Sequence, residues 1–241
     1  MPRTGVRERR HTRLTTAGVL FVLAAVWYLG SEAIAAAAFA GYSYSHNYIS
    51  DLGIPGLGTS GGRDIDSPLA LVMNVGFVGH GILFVAAAYL LVTALPATRL
   101  RWVYFGFAVV HGVGITMVGI FPAALDASDT NGMVLHVIGA GMAIVGGNLA
   151  VITGGFIVLR RVVPPWVPSA SVALGMTGLV CLAMLMLSQN AGSSILVAHG
   201  VWERGAVYTV QAWELLVAAV ILVGAVRQSP AGASTSRSSR W

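Results

Sequence analysis

The sequence predicts an all-α, polytopic integral membrane protein, a six-helix transmembrane bundle with both termini in the cytoplasm. Three observations predict it. Of 241 residues, 56% are hydrophobic and only 10% charged, where a soluble globular domain carries roughly 25% charged residues, so most of the surface cannot face water. Apolar runs long enough to cross a hydrocarbon core about 30 Å thick recur six times along the chain. The arginines alternate between the connecting segments as the positive-inside rule requires.

An Arg-rich segment, 1–13, precedes a transmembrane domain at 14–226, and a Ser, Ala, Gly and Arg tail at 227–241 has the composition of a disordered segment. The spans are expected at 14–40, 69–95, 102–121, 133–159, 167–187 and 205–226. Arg3, Arg7, Arg9, Arg10, Arg13, Arg99, Arg101, Arg160, Arg161, Arg227, Arg237 and Arg240 fall on one side, and only Arg63 and Arg204 on the other. Asp51, Asp64, Asp66, Asp126, Asp129 and Glu203 do the reverse, with Glu8 alone inside. The net charge of +5 therefore labels the cytoplasmic face and is no sign of nucleic-acid binding. The lone Cys181 excludes an internal disulfide and any cysteine-based zinc motif.

The first span begins like a secretory signal, with arginines ahead of it and the small residues 35–40 behind. At about 27 apolar residues it exceeds the 7 to 15 of a signal core, and Trp27, Tyr28 and Glu32 suit a retained helix. Cleavage would leave five spans in the same orientation. Short links at 96–101 and 160–166 make helices two and three, and four and five, antiparallel neighbours. The outer links are longer. The first, 41–68, is expected to lie over the bundle as a lid; the second holds Asp126 and Asp129; the third runs over 188–204. Gly139, Ala143 and Gly147, and likewise Ser169, Ala173, Thr177 and Cys181, recur at four-residue spacing that permits close helix approach. No internal repeat supports an inverted-repeat transporter.

Polar groups inside hydrocarbon are costly and point by default to the bundle interior. They are Glu32, Asn74, His80, His111, His136, Asn148 and Glu214. At 1.5 Å per residue, His136 lies about one turn from the outer end, Glu32 and Glu214 about two to three turns, and His80 and His111 near mid-membrane. Glu203 and Glu214 are 11 residues apart, about three turns, so a sixth helix reaching back through Glu203 would aim both carboxylates the same way. These phases suit a polar funnel open to the outside.

Histidines beside carboxylates can hold zinc and move a proton, but no His-Glu-x-x-His pair occurs. A divalent metal such as zinc would need His46, His80, His111, His136 or His199 from separate segments, so the metal ligands are left unassigned. Haem needs two histidines at matched depth; His80 and His111 qualify, His136 does not, and haem is the lesser reading. The glycine pattern over 56–61 has no strand before it and is no nucleotide motif.

The run Tyr44-Ser-His-Asn-Tyr-Ile-Ser-Asp-Leu-Gly53, then Asn74-Val-Gly-Phe77 and Gly79, then Gly119-Ile-Phe-Pro122 followed by Asp126 or Asp129 and His136, resembles the prokaryotic multi-pass membrane family catalogued as domain of unknown function 998. The resemblance spans roughly 14–226. It implies a six-helix fold in a prokaryotic plasma membrane, no established reaction, and importance for Ser50, Asp51, Asn74, Asp126, Asp129 and His136. Two aspartates follow the Phe-Pro element where the family has one.

From the residues themselves, Asp51 before Leu52-Gly53 suits a turn that pins the first outer link, or a catalytic carboxylate. The leading expectation is an outward-facing polar pocket for a lipid or isoprenoid-like amphiphile. Its head would lie near Asp51, Asp129, His136 and Glu203, with Ser45, His46, Ser50, Asn74, His80, His111, Arg204, Glu32 and Glu214 as further ligand-binding residues. If it turns that ligand over, hydrolysis or group transfer fits, with His136 as general base or metal ligand and Asp126, Asp129 or Asp51 orienting it. The alternatives are a non-catalytic transporter or lipid-binding partner, and a structural subunit of a membrane assembly.

Overall fold

The computed structural model describes residues 3–95, 98–125, 130–160 and 163–228. Among these residues, six helices are long and apolar enough to cross a membrane: α1 Arg3–Ala38, α2 Ala70–Ala94, α3 Arg101–Ile120, α4 Thr130–Thr153, α5 Trp166–Asn190 and α6 His199–Gln228. The chain is an integral membrane protein built as an all-α bundle. Six consecutive spans return it to the end at which it began, called the termini end below. The other end carries a short 3-10 turn, Ser50–Gly53, and an antiparallel hairpin, β1 Leu57–Ser60 with β2 Arg63–Asp66; it is called the hairpin end.

The helices stand in a ring in chain order, each against its neighbours in sequence, and α1 closes the ring against α6. The expected pairs α2 with α3 and α4 with α5 are therefore adjacent. Hydrocarbon supplies no hydrophobic drive between helices, so small residues that let backbones approach set the contacts. A Cβ on Gly139 of α4 would lie 2.9 Å from the Gly114 carbonyl of α3, and one on Gly114 would lie 2.6 Å from that of Gly139. Toward the termini end the core is aromatic: Phe21, Phe84, Tyr104 and Trp213 are fully buried together, and the Trp213 indole donates to Ser171 Oγ at 2.9 Å. At the hairpin end Tyr28, Phe39, Ile49, Leu52, Ile54, Ile65 and Phe77 form a second core beneath the first link.

Three expectations change. The last helix begins at His199, six residues before the apolar run, because the polar Glu203 and Arg204 find buried partners there. The first extends back to Arg3; its 36 residues span roughly 54 Å at 1.5 Å each, and Val6 to Arg13 are exposed. On α5 the buried stripe is Val167, Ser171, Gly175, Gly178, Cys181 and Leu185, while Ser169, Ala173 and Thr177 face outward. That helix is apolar on every side, so composition alone carried no phase. The fourth helix ends in a π-helical segment, Gly154–Leu159, where Gly155 packs on Ser171. Arg101 caps α2, donating from Nη1 to the Val92 and Leu95 carbonyls at 2.9 and 3.1 Å. The tail beyond 228 lies outside the described residues.

Candidate functional site

The first link is tied down by Asp51. Its carboxylate accepts Arg63 Nε at 2.7 Å and Nη2 at 2.9 Å, the Tyr48 amide at 3.0 Å and Asn47 Nδ2 at 3.2 Å, and it is only 1% exposed. The Arg63 guanidinium also stacks 4.1 Å over the Tyr48 ring. Burial works against the Arg63 charge, but the hydrogen bonds to Asp51 and its charge outweigh that and hold the arginine above its ordinary pKa. With both oxygens engaged by a planar two-pronged partner, Asp51 fixes the hairpin to the 3-10 turn. Of the two roles open to it from sequence, the geometry favours the pin.

The separated motif pieces build one wall. Asn74 Nδ2 of α2 donates to the Gly53 carbonyl at 2.9 Å, and a Cβ on Gly53 would collide with Asn74 Oδ1. One on Gly119 would lie 2.6 Å from the Asn74 carbonyl. Two residues on, the Phe121 carbonyl accepts His136 Nδ1 at 2.9 Å. Since a carbonyl can only accept, the neutral ring keeps its proton on Nδ1 and its lone pair on Nε2.

A buried cluster locks the same end. Arg204 of α6 donates to Glu32 Oε1 of α1 at 3.1 Å, to the Tyr44 and Asn47 carbonyls at 2.5 and 2.9 Å, and to the Tyr42 hydroxyl. Tyr208 donates to Glu32 at 2.9 Å. Burial pushes the Tyr42 hydroxyl up, against the pull of Arg204. The charges of Glu32 and Arg204 are thus spent on each other and on the link's backbone.

Beside these anchors lies a groove of about 810 Å³. Ser50, His136, His199, Glu203 and Gln189 stand at its polar end, and Val137, Ile144 and Val145 of α4 face Leu182, Leu185 and Met186 of α5 along its length. Glu203 takes the Ile49 amide at 2.5 Å. Ser50, His136, Ala140, Ile144 and Glu203 also border a deeper cavity of about 50 Å³, whose inner wall includes Tyr28, His111 and Gln211.

Past that cavity, His80 Nε2 lies 3.2 Å from Glu214 Oε1 and 3.4 Å from Oε2, both residues fully buried. The rings of His80 and His111 stand edge to face with centroids 5.3 Å apart, as their common depth implied. His111 Nδ1 donates to the Ala143 carbonyl at 2.7 Å. Asn148 is satisfied between α4 and α6 by the Ile144 and Ala206 carbonyls and by Thr209, which is packing.

Of the sequence-stated candidates, Ser50, Asp51, His136 and Glu203 meet at the groove and His111 at the cavity. Asn74, Glu32 and Arg204 brace the walls, and His80 with Glu214 lies deeper. Ser45 and His46 bond locally, at 2.8 Å between Oγ and Nδ1, and do not line the groove. Asp126 and Asp129 lie outside the described residues; among those described, Phe121 orients His136 and no three His, Cys, Asp or Glu come together as a metal site. Gln211 was missed, although it sits on the last apolar run three residues before Glu214, where phase from Glu203 would have found it. Arg63, the sole arginine or lysine of an acidic link, is marked by that charge as the partner Asp51 takes.

A family model described as Protein of unknown function (DUF998) matches residues 22–220. No curated protein and no solved structure matches the chain.

Proposed function

The chain belongs to the family described as Protein of unknown function (DUF998), and on that premise we propose that its groove between α4 and α5 binds a membrane amphiphile. The carrying observation is the gradient along the groove, from Ser50, His136, His199 and Glu203 at one end to the aliphatic faces of α4 and α5. A lipid or isoprenoid-like molecule entering sideways would keep its chain against Val145, Leu182 and Met186 and bring its head to the polar end. Mostly apolar walls with a few convergent polar groups are what ligand sites share.

Charge narrows the head group. Among the described residues, Arg63 is matched by Asp51 and Arg204 by Glu32, so no arginine at this end is left to bind a phosphate. Glu203, the imidazoles of His136 and His199, and the Gln189 amide suit a hydroxyl or amine head. On such a ligand, His136 Nε2 is the base for hydrolysis or group transfer, with the Phe121 carbonyl holding its tautomer. The hairpin end then faces outward from a prokaryotic plasma membrane and both termini lie in the cytoplasm, a placement supported by the arginines at the termini end.

Native mass spectrometry and lipid extraction of protein purified in mild detergent test this. The wild type is expected to carry a stoichiometric amphiphile, and Leu182→Trp, which fills the groove, to lose it while eluting unchanged. A wild type that carries none, or a Leu182→Trp variant that keeps it, overturns the reading.

A further inference from the structure

Below the groove the polar atoms do not close on one another. His111 Nδ1 is committed to Ala143, so its Nε2 is an acceptor, and that atom is buried without a partner. Gln211 Oε1, also an acceptor, is buried without a partner as well. The two residues are 4% and 2% exposed and line the same cavity of about 50 Å³. Two orphaned acceptors on one cavity call for a donor of two protons, because a buried acceptor left without a partner is costly. A cavity needs only about 10 to 15 Å³ on this measure to hold one water, so the space suffices.

The cavity's position gives that water a task. Its outer wall is Ser50, His136 and Glu203, shared with the groove. On its inner side the His111 ring meets His80, and His80 meets Glu214 at 3.2 Å. Gln211 and Glu214 are successive turns of α6. The groups around the pair are Tyr28 of α1 against His80, His111 and Tyr104 of α3, and Gln211 of α6 itself; Tyr104 packs on Trp213 with its hydroxyl unpartnered. Among the described residues, no arginine or second carboxylate is paired with either side chain, so one proton shared between His80 and Glu214 leaves the pair neutral, the inexpensive state in this interior.

We propose that this cavity is a hydrated proton site: water donating to His111 Nε2 and Gln211 Oε1 links Glu203 and His136 of the groove to the His80–Glu214 pair at mid-membrane. The ligand is a proton delivered through water that enters from the groove, with which the cavity shares its outer wall. Neither His80 nor Glu214 borders the cavity itself, so the last transfer is from its water past the His111 and Gln211 side chains to the pair and back by the same route, with no other reactant needed. The site stands apart from the amphiphile reading, since an unoccupied groove would still be its entrance.

Infrared difference spectroscopy of the protein in lipid nanodiscs tests the site without an activity assay. A carboxylic acid band that disappears in Glu214→Gln is expected to shift on transfer from H2O to D2O as fast as buffer is exchanged. In Gln211→Leu or His111→Phe, each of which removes one acceptor from the cavity wall, the shift is expected about tenfold slower. Glu214→Asp, which keeps a carboxyl and moves the band, assigns it if Glu214→Gln does not fold. A Glu214 band that stays unexchanged in the wild type, or exchange equally fast in both cavity variants, overturns the proposal. Loss of bound amphiphile in Leu182→Trp with unchanged exchange would separate the two sites.

Discussion

His136 Nδ1 lies 2.9 Å from the Phe121 carbonyl oxygen, so a main-chain atom of the Gly119-Ile-Phe-Pro122 element sets the tautomer of an imidazole at the groove's polar end. Nitrogen chemical shifts of histidine-labelled protein in bilayers are expected to show His136 protonated at Nδ1 with Nε2 bare. A ring protonated at Nε2 would remove its part as a base.

The Glu32–Arg204 pair is buried at both ends, 1% and 7% exposed, and removing one member strands the other. Arg204→Leu is expected to cost about 3 to 5 kcal/mol, read as a large drop in the detergent thermal midpoint. Glu32→Gln, which keeps hydrogen bonds to Arg204 and Tyr208, should cost clearly less. Equal losses from the two would mean that the charge pair alone, and not the carbonyl contacts of Arg204, holds this end.

The pin between Asp51 and Arg63 predicts a local effect. Asp51→Asn should leave the helices folded while raising protease cleavage and amide exchange across 41–68. Arg63→Lys should behave alike, because one ammonium cannot reproduce the two-pronged contact. Unchanged exchange in both variants would contradict the pin.

Two glycines of one helix make a matched test. A Cβ at Gly139 would sit 2.8 Å from Met117 Cβ and 2.9 Å from the Gly114 carbonyl, whereas at Gly141 it meets nothing within 4 Å. Gly139→Ala is expected to destabilise by about 1 to 3 kcal/mol and Gly141→Ala to be neutral or slightly stabilising. Thermal unfolding of the two variants side by side decides it.

Orientation is open to labelling. In a Cys181→Ser background, a membrane-impermeant thiol reagent added outside intact cells is expected to label a cysteine at Thr59 on the hairpin and none at Arg101 or Arg160. The reverse pattern would put the groove on the cytoplasmic side.

By itself the sequence determined the number of spans, their order and the segregation of arginine, because length, apolarity and charge act locally on each stretch of chain. It also picked out residues that the fold brings together: Ser50, His136 and Glu203 line one groove, and the rings of His80 and His111 are in contact. Only the tertiary structure decided which partner each polar group takes. A helix apolar on every side has no amphipathic face to report its rotation, so the buried stripe of α5 follows from packing against α4 and α6. Asp51 finds Arg63, and Asn74 finds Gly53, across a folded link whose contacts no spacing encodes. Those pairings are what turn scattered motif residues into a wall, a groove and a cavity.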